Sequence, residues 1–204
     1  MTDVFINCPF DDKYTPLFEA ILFSVTVSGY RVRCALEEND SGDIRFDKLC
    51  RLISESSRSI HDLSRVEVAA GEMPRFNMPF ELGLWLGAKR FGSDDQKAKS
   101  TLIFIREDYK LPTYLSDLGG NDPKPHKDSV ANVIKAVRDY LHVRPQKTLL
   151  PGAKAMQDHL VKFTSRLPIY AKQAKIAVDE VHPRTDHNTY MTFLTAFVKE
   201  EPLV

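Results

Sequence analysis

The sequence predicts an α/β fold, a doubly wound parallel sheet that is followed by a helical C-terminal appendage. Short apolar runs bounded by turn residues alternate with segments in which apolar residues recur at helical spacing. Four such strand and helix pairs precede Pro145, and beyond it only helical spacing remains. Strands that alternate with helices are joined by right-handed crossovers into a parallel sheet. We therefore expect an α/β domain over residues 1–144 and a helical extension over residues 145–204.

The first two pairs lie in residues 4–53. Residues 4–8 form an apolar strand closed by Pro9, and the next helix is marked by Leu17, Phe18, Ile21, Leu22 and Val25. Residues 30–36 predict the second strand and residues 37–42 an acidic turn. The second helix is marked by Phe46, Leu49, Cys50 and Ile53.

The next two pairs follow the same pattern. Residues 59–63 and 101–105 predict strands, and residues 77–91 predict a helix. A further helix is marked by Val130, Val133, Ile134, Val137 and Leu141. The intervening loop, residues 109–128, is long enough that we expect it to cover a ligand. Two tail helices are marked by Met156, Leu160, Phe163 and Leu167 and by Tyr190, Phe193, Leu194 and Phe197.

Composition restricts the partners. The 204 residues carry 28 basic and 28 acidic side chains, so no overall field attracts nucleic acid. No apolar run approaches the roughly 18 residues of a membrane span, and the N-terminus lacks the basic start of a secretory signal. We expect a cytoplasmic protein without membrane or nucleic-acid partners. Cys8, Cys34 and Cys50 lack CxxC spacing, which favours reduced core thiols over disulfides or a metal site.

Polar residues collect at the predicted strand ends, where open parallel sheets bind their ligands. They are Asn7, Cys8, Asp11 and Asp12 after the first strand, Glu37 after the second, Asp62 and Ser64 after the third, and Asn77 and Glu81 in the third helix.

Glu81 is the strongest candidate among them. Asn77 is predicted to cap the third helix, so Glu81 would lie in its first turn, near the positive end of the helix dipole. Shielding by Trp85, one turn further along, would instead raise the carboxyl pKa by desolvation. The sequence leaves open which effect dominates, and whether Glu81 only stabilises its own helix. The stripe of Phe80, Leu84, Ala88 and Phe91 is predicted to pack this helix on the sheet.

Asp62, Cys8 and His61 each allow two interpretations. Asp62 with Ser64 could bind sugar hydroxyls, or Asp62 could close its strand as an Asx-turn. Cys8 could be a nucleophile, but no histidine is placed to activate it, so inert packing is favoured. His61 and Asp62 should face opposite sides of their strand, which argues against a shared metal. Neither GxGxxG nor GxxxxGK[ST] is present, so a dinucleotide fingerprint and a P-loop are excluded.

Three features resemble the nucleoside 2-deoxyribosyltransferase-like and TIR-like superfamily. They are Asp-Leu-Ser at residues 62–64, Asn-x-Pro-Phe-Glu-Leu-Gly at residues 77–83 followed by Gly-Ala at 87–88, and the opening residues 4–10 with Tyr14. The resemblance covers about residues 3–143 and implies a flavodoxin-like (TIR-like) fold.

The resemblance implies cleavage of an N-glycosidic bond, most often that of NAD in TIR-like members. The products would be nicotinamide with ADP-ribose, a cyclic isomer or a base-exchanged product. Glu81 would then be the catalytic carboxylate, with the substrate bound by Asn7, Cys8, Asp11, Asp62, Ser64, Asn77 and Trp85. NAD would be the substrate, so no cofactor and no metal are expected.

The resemblance also implies a role in antiphage defence, with self-association or a partner effector protein. Two alternatives remain. The motif helix is nearer to the deoxyribosyltransferases, which leaves open a nucleoside 2-deoxyribosyltransferase-like enzyme with a free nucleoside or nucleotide as substrate. The same site could also belong to a non-catalytic module that binds a nucleotide or assembles with partners.

Overall fold

The computed structural model describes residues 3–65, 75–108, 113–142 and 149–203. Within these residues the chain forms an α/β protein with five strands and seven α-helices. The strands are β1 (Asp3–Asn7), β2 (Arg31–Arg33), β3 (Arg58–Asp62), β4 (Ser100–Ile105) and β5 (Lys124–Pro125). The helices are α1 (Thr15–Val27), α2 (Arg45–Glu55), α3 (Asn77–Phe91), α4 (Asp94–Lys97), α5 (Val130–Leu141), α6 (Ala153–Ala174) and α7 (His187–Glu200).

The strands form one sheet in the order β2-β1-β3-β4-β5. The pairs from β1 to β5 are parallel, and Asn7 at the end of β1 lies opposite His61 of β3. The predicted α/β class with a parallel sheet is therefore confirmed. The strand order is compatible with a flavodoxin-like arrangement.

The sequence-based assignment of residues 109–128 as one loop is wrong in part. A 3₁₀ segment occupies Thr113–Leu118, and β5 adds a strand at the edge of the sheet. Residues 109–112 of the predicted loop lie outside the described residues. β5 has only two residues, so its sequence shows no strand periodicity. It includes Pro125, which is tolerated because the strand lies at the edge of the sheet.

The chain divides into two compact units, the first formed by Met1–Pro9 with Val32–Asp128. Its core has two apolar clusters, and α3 contributes to both through Met78 and Leu82 in one and Trp85 in the other. Arg33, buried at the end of β2, pairs with Asp3 at 3.3 Å, Glu37 at 2.6 Å and Glu55 at 2.8 Å. Glu37, one of the predicted strand-end polar residues, therefore balances a buried charge.

The second unit, Phe10–Arg31 with Ser129–Val204, is helical. Phe163 of α6 contacts Tyr190 and Phe197 of α7, with ring centroids 5.5 and 5.3 Å apart. The predicted C-terminal appendage thus forms α6 and α7, which pack in this unit with α1 and α5. The domain boundary predicted at residues 144 and 145 lies outside the described residues.

Candidate functional site

Asn7 joins the carboxyl ends of β1 and β3 to the start of α3. Its Nδ2 donates to His61 Nδ1 at 3.0 Å and to the Met78 carbonyl at 2.9 Å. Both amide hydrogens are therefore used inside the protein. Among the described residues, nothing hydrogen-bonds the buried Asn7 Oδ1.

His61 is a neutral residue of the core. Burial lowers the pKa of its imidazole to about 3. Its ring contacts Phe5 and Trp85 edge-on, with centroids 5.9 and 6.0 Å away. Because Nδ1 accepts from Asn7, the proton lies on Nε2, which has no hydrogen-bond partner in the described part of the chain.

Glu81 is a buried acidic residue. It keeps 5% of its surface exposed. Burial raises the pKa of its carboxyl from 4.5 to about 7, while the positive charge of Arg45 acts in the opposite direction. None of the interactions that shift this pKa within the described residues is a hydrogen bond. A carboxylate with these properties is typical of a functional site, because a structural carboxylate in this environment is usually paired.

The predicted position of Glu81 in the first helical turn is wrong. α3 begins at Asn77, which makes Glu81 its fifth residue, and the first turn contains no acidic side chain. The helix dipole falls off beyond the first turn, so desolvation dominates the pKa of Glu81. The tertiary structure therefore decides the direction of the Glu81 pKa shift, which the sequence left open.

Asn77 does not cap α3 as predicted. The residue before the helix is Phe76, whose backbone is already helical, and it makes no side-chain capping bond. Its carbonyl accepts from the Phe80 N–H at 3.2 Å. The chain therefore enters the helix through a helical turn, and Asn77 is an exposed first residue instead of a cap.

Trp85 lies in the core, one turn beyond Glu81. It is fully buried and stacks on Phe5, with ring centroids 6.4 Å apart and planes at 9°. Lys99 Nζ lies 4.3 Å from the Trp85 ring centre and donates to the carbonyls of Ile53, at 2.7 Å, and Ser56. Burial lowers the pKa of Lys99 to about 8. Trp85 and Lys99 thus fix α3 against the end of α2.

Asp62 is fully buried at the carboxyl end of β3. Its Oδ1 accepts from the Ser64 N–H at 2.7 Å, which is the Asx-turn that the sequence offered as one alternative. Its Oδ2 lies 3.3 Å from His126 Nε2. The Ser64 hydroxyl is buried and has no hydrogen-bond partner among the described residues.

His126 is a site residue that sequence reasoning missed. It follows β5 and is fully buried. The Asp128 N–H donates to His126 Nδ1 at 3.0 Å, so neutral His126 carries its proton on Nε2, the nitrogen that faces Asp62. The sequence signal was a lone histidine in a predicted loop, and only the pairing of β4 with β5 brings it to Asp62.

Cys8 and Asp11 are two further residues of the predicted site. Cys8 is buried directly after β1. Asp11 belongs to the second unit, where its carboxylate accepts from the Tyr14 N–H at 3.0 Å ahead of α1. Burial raises the pKa of the Cys34 thiol to about 12. Cys50 is exposed on α2, so the expectation that all three cysteines lie in the core is wrong.

The predicted packing face of α3 is wrong in part, because Leu84 and Ala88 pack against a core cluster whereas its two phenylalanines are exposed. Phe80 and Phe91 are 54% and 87% exposed. The buried face is formed by Met78, Glu81, Leu82 and Trp85. The apolar stripe therefore misidentified the inward side, because this helix buries a carboxylate and leaves aromatic rings in solvent.

Within the described residues, no group of three or more His, Cys, Asp and Glu side chains is arranged to hold a metal ion. No helix in the same part of the chain has the length and apolar character needed to cross a membrane. Comparison with family models and with curated proteins finds no match for this chain.

Proposed function

We propose that this protein cleaves the N-glycosidic bond of NAD and that Glu81 is its essential carboxylate. The carrying observation is the burial of Glu81, whose carboxyl has a pKa of about 7. The Asp-Leu-Ser and Glu-Leu-Gly motifs resemble those of TIR-like proteins, and the strand order is compatible with that fold.

The reaction needs one well-placed negative charge. The bond between ribose C1′ and the nicotinamide nitrogen breaks, and its electron pair passes to the nitrogen, which becomes neutral. The positive charge that develops at C1′ is stabilised by the Glu81 carboxylate, and water adds to C1′ with loss of a proton. Because nicotinamide leaves as a neutral molecule, no strong general acid is required.

Asp62 and Ser64 supply polar groups suited to ribose hydroxyls. A buried carboxylate accepts from a hydroxyl, and the Ser64 Oγ, which has no partner among the described residues, either donates or accepts. His126 Nε2 faces the second oxygen of Asp62 at 3.3 Å, an electrostatic contact that does not meet hydrogen-bond geometry. We assign His126 a positioning role, because its contact fixes the carboxylate without requiring contact with the substrate.

The experiment compares wild-type protein, Glu81→Gln and the exposed-site control Glu107→Gln. Each is incubated with NAD over a range of protein concentrations, and nicotinamide and ADP-ribose species are separated chromatographically. We expect release by wild type and Glu107→Gln, and a loss of at least about 100-fold in Glu81→Gln. Release by Glu81→Gln at the wild-type rate would refute the assignment.

A parallel incubation with a deoxynucleoside and a second free base tests the deoxyribosyltransferase alternative. Base exchange without consumption of NAD would replace NAD by a nucleoside as the substrate. Stoichiometric retention of nucleotide without any product would favour a binding module. A role in antiphage defence through self-association stays a prediction of the resemblance.

A further inference from the structure

Two exposed aromatic side chains lie on α2 and α3. Phe46 and Phe80 are 47% and 54% exposed, and their ring centroids are 6.3 Å apart with planes at 37°. Rings at this separation contact one another. Contiguous exposed apolar side chains typically mark a ligand groove or an interface, since water solvates such surfaces poorly.

Each ring of the pair has a charged residue as its neighbour in the chain. Glu81 directly follows Phe80, and Arg45 directly precedes Phe46. The Arg45 charge acts on the Glu81 carboxyl, so these two groups lie within electrostatic range of each other. The exposed Arg45 adjoins Phe46 in the chain, whereas Glu81 belongs to the buried face of α3.

We propose that Phe46 and Phe80 form the subsite for the aromatic base of a nucleotide and that Arg45 binds its phosphate. This inference rests on the proposed function, because it assigns the parts of the substrate around Glu81. Bases of any type stack on exposed aromatic rings, and a guanidinium matches the geometry of a phosphate. An apolar protein partner fits less well, because it would have to desolvate the exposed Arg45.

The test measures binding by isothermal titration calorimetry in the Glu81→Gln background, which separates binding from turnover. The probes are NAD, AMP and adenosine. Phe46→Leu and Phe80→Leu are compared with Phe91→Leu, a matched control on α3 whose ring is 87% exposed. Arg45→Gln is measured with the same probes, and thermal melting establishes that each variant is folded.

We expect Phe46→Leu and Phe80→Leu to weaken binding of all three probes by about tenfold, and Phe91→Leu to change none of them. Arg45→Gln should weaken NAD and AMP but leave adenosine unchanged, because adenosine has no phosphate. If Phe46→Leu and Phe80→Leu bind like Phe91→Leu, the subsite is refuted.

The outcome for turnover is separate from the outcome for the subsite. If turnover depends on Glu81 but Phe46→Leu leaves nucleotide binding unchanged, the proposed function stands and this inference is overturned. Loss of self-association in Phe46→Leu with unchanged nucleotide binding would identify the ring pair as a protein interface, which also overturns it. Absence of nucleotide binding in every variant would overturn both.

Discussion

Replacing Glu81 by Gln tests the buried carboxylate without any substrate. Burial raises the carboxyl pKa from 4.5 in solvent to about 7 in the folded protein. At 1.36 kcal/mol for each pKa unit, ionising Glu81 in the folded state costs about 3 kcal/mol more than in the unfolded chain. Gln has nearly the shape of the protonated side chain and carries no charge at any pH.

The direction of the effect follows from proton binding. Between pH 4.5 and about 7 the folded protein retains the Glu81 proton that the unfolded chain has released. The free energy of unfolding of wild type therefore falls, relative to Glu81→Gln, as the pH rises through this interval. We expect the two proteins to be equally stable near pH 4 and Glu81→Gln to be more stable by about 3 kcal/mol at pH 8.

Urea denaturation at a series of pH values measures this difference, and thermal melting at pH 8 should show a rise of roughly 6–12 °C. Glu107→Gln is the matched control, because Glu107 is exposed and its substitution should change stability little at any pH. A stability difference between wild type and Glu81→Gln that stays constant from pH 4 to 8 would refute the assigned burial of the charge.

Three further results are expected. If ionised Glu81 is the active form, kcat/KM of wild type should fall below about pH 7. Arg45→Gln should move the midpoint of this pH profile to higher pH, because the charge of Arg45 lowers the Glu81 pKa. His126→Leu should lower the free energy of unfolding by roughly 1–3 kcal/mol in urea denaturation, and His126→Gln by less, since Gln keeps a polar group beside the buried Asp62. Lys99→Met should lower the melting temperature by roughly 4–8 °C in calorimetry, because two carbonyls lose their donor. An unchanged pH profile, free energy of unfolding or melting temperature would contradict the role assigned to the residue in question.

Much of the secondary structure could be predicted because it depends on local periodicity. The bounds of α3 agree with the prediction, and α5 contains the whole predicted stripe of apolar residues. β2 is three residues long and ends before Cys34, earlier than its apolar run suggested. β5 escaped prediction because two residues have no detectable period, and its edge position exists only once β4 is in place.

The sequence predicted several residues of the candidate site, but it did not predict the environment of their side chains. Asp62, Ser64 and Glu81 stand out because carboxylates and hydroxyls at strand ends are chemically suited to a sugar. His126 did not, because its partner Asp62 is 64 residues away along the chain. The stripe of Phe80 and Phe91 was misassigned because spacing does not distinguish an aromatic side chain that packs inward from one that remains in solvent.

By itself, the sequence determined the α/β class, the order of the main elements and the chemical groups available at the strand ends, because these depend on the period and type of neighbouring residues. Only the tertiary structure decided that desolvation outweighs the helix dipole at Glu81, that Asp62 faces His126, and that Phe46 meets Phe80. Burial, charge proximity and ring contact arise between segments distant in the chain, so no local pattern encodes them.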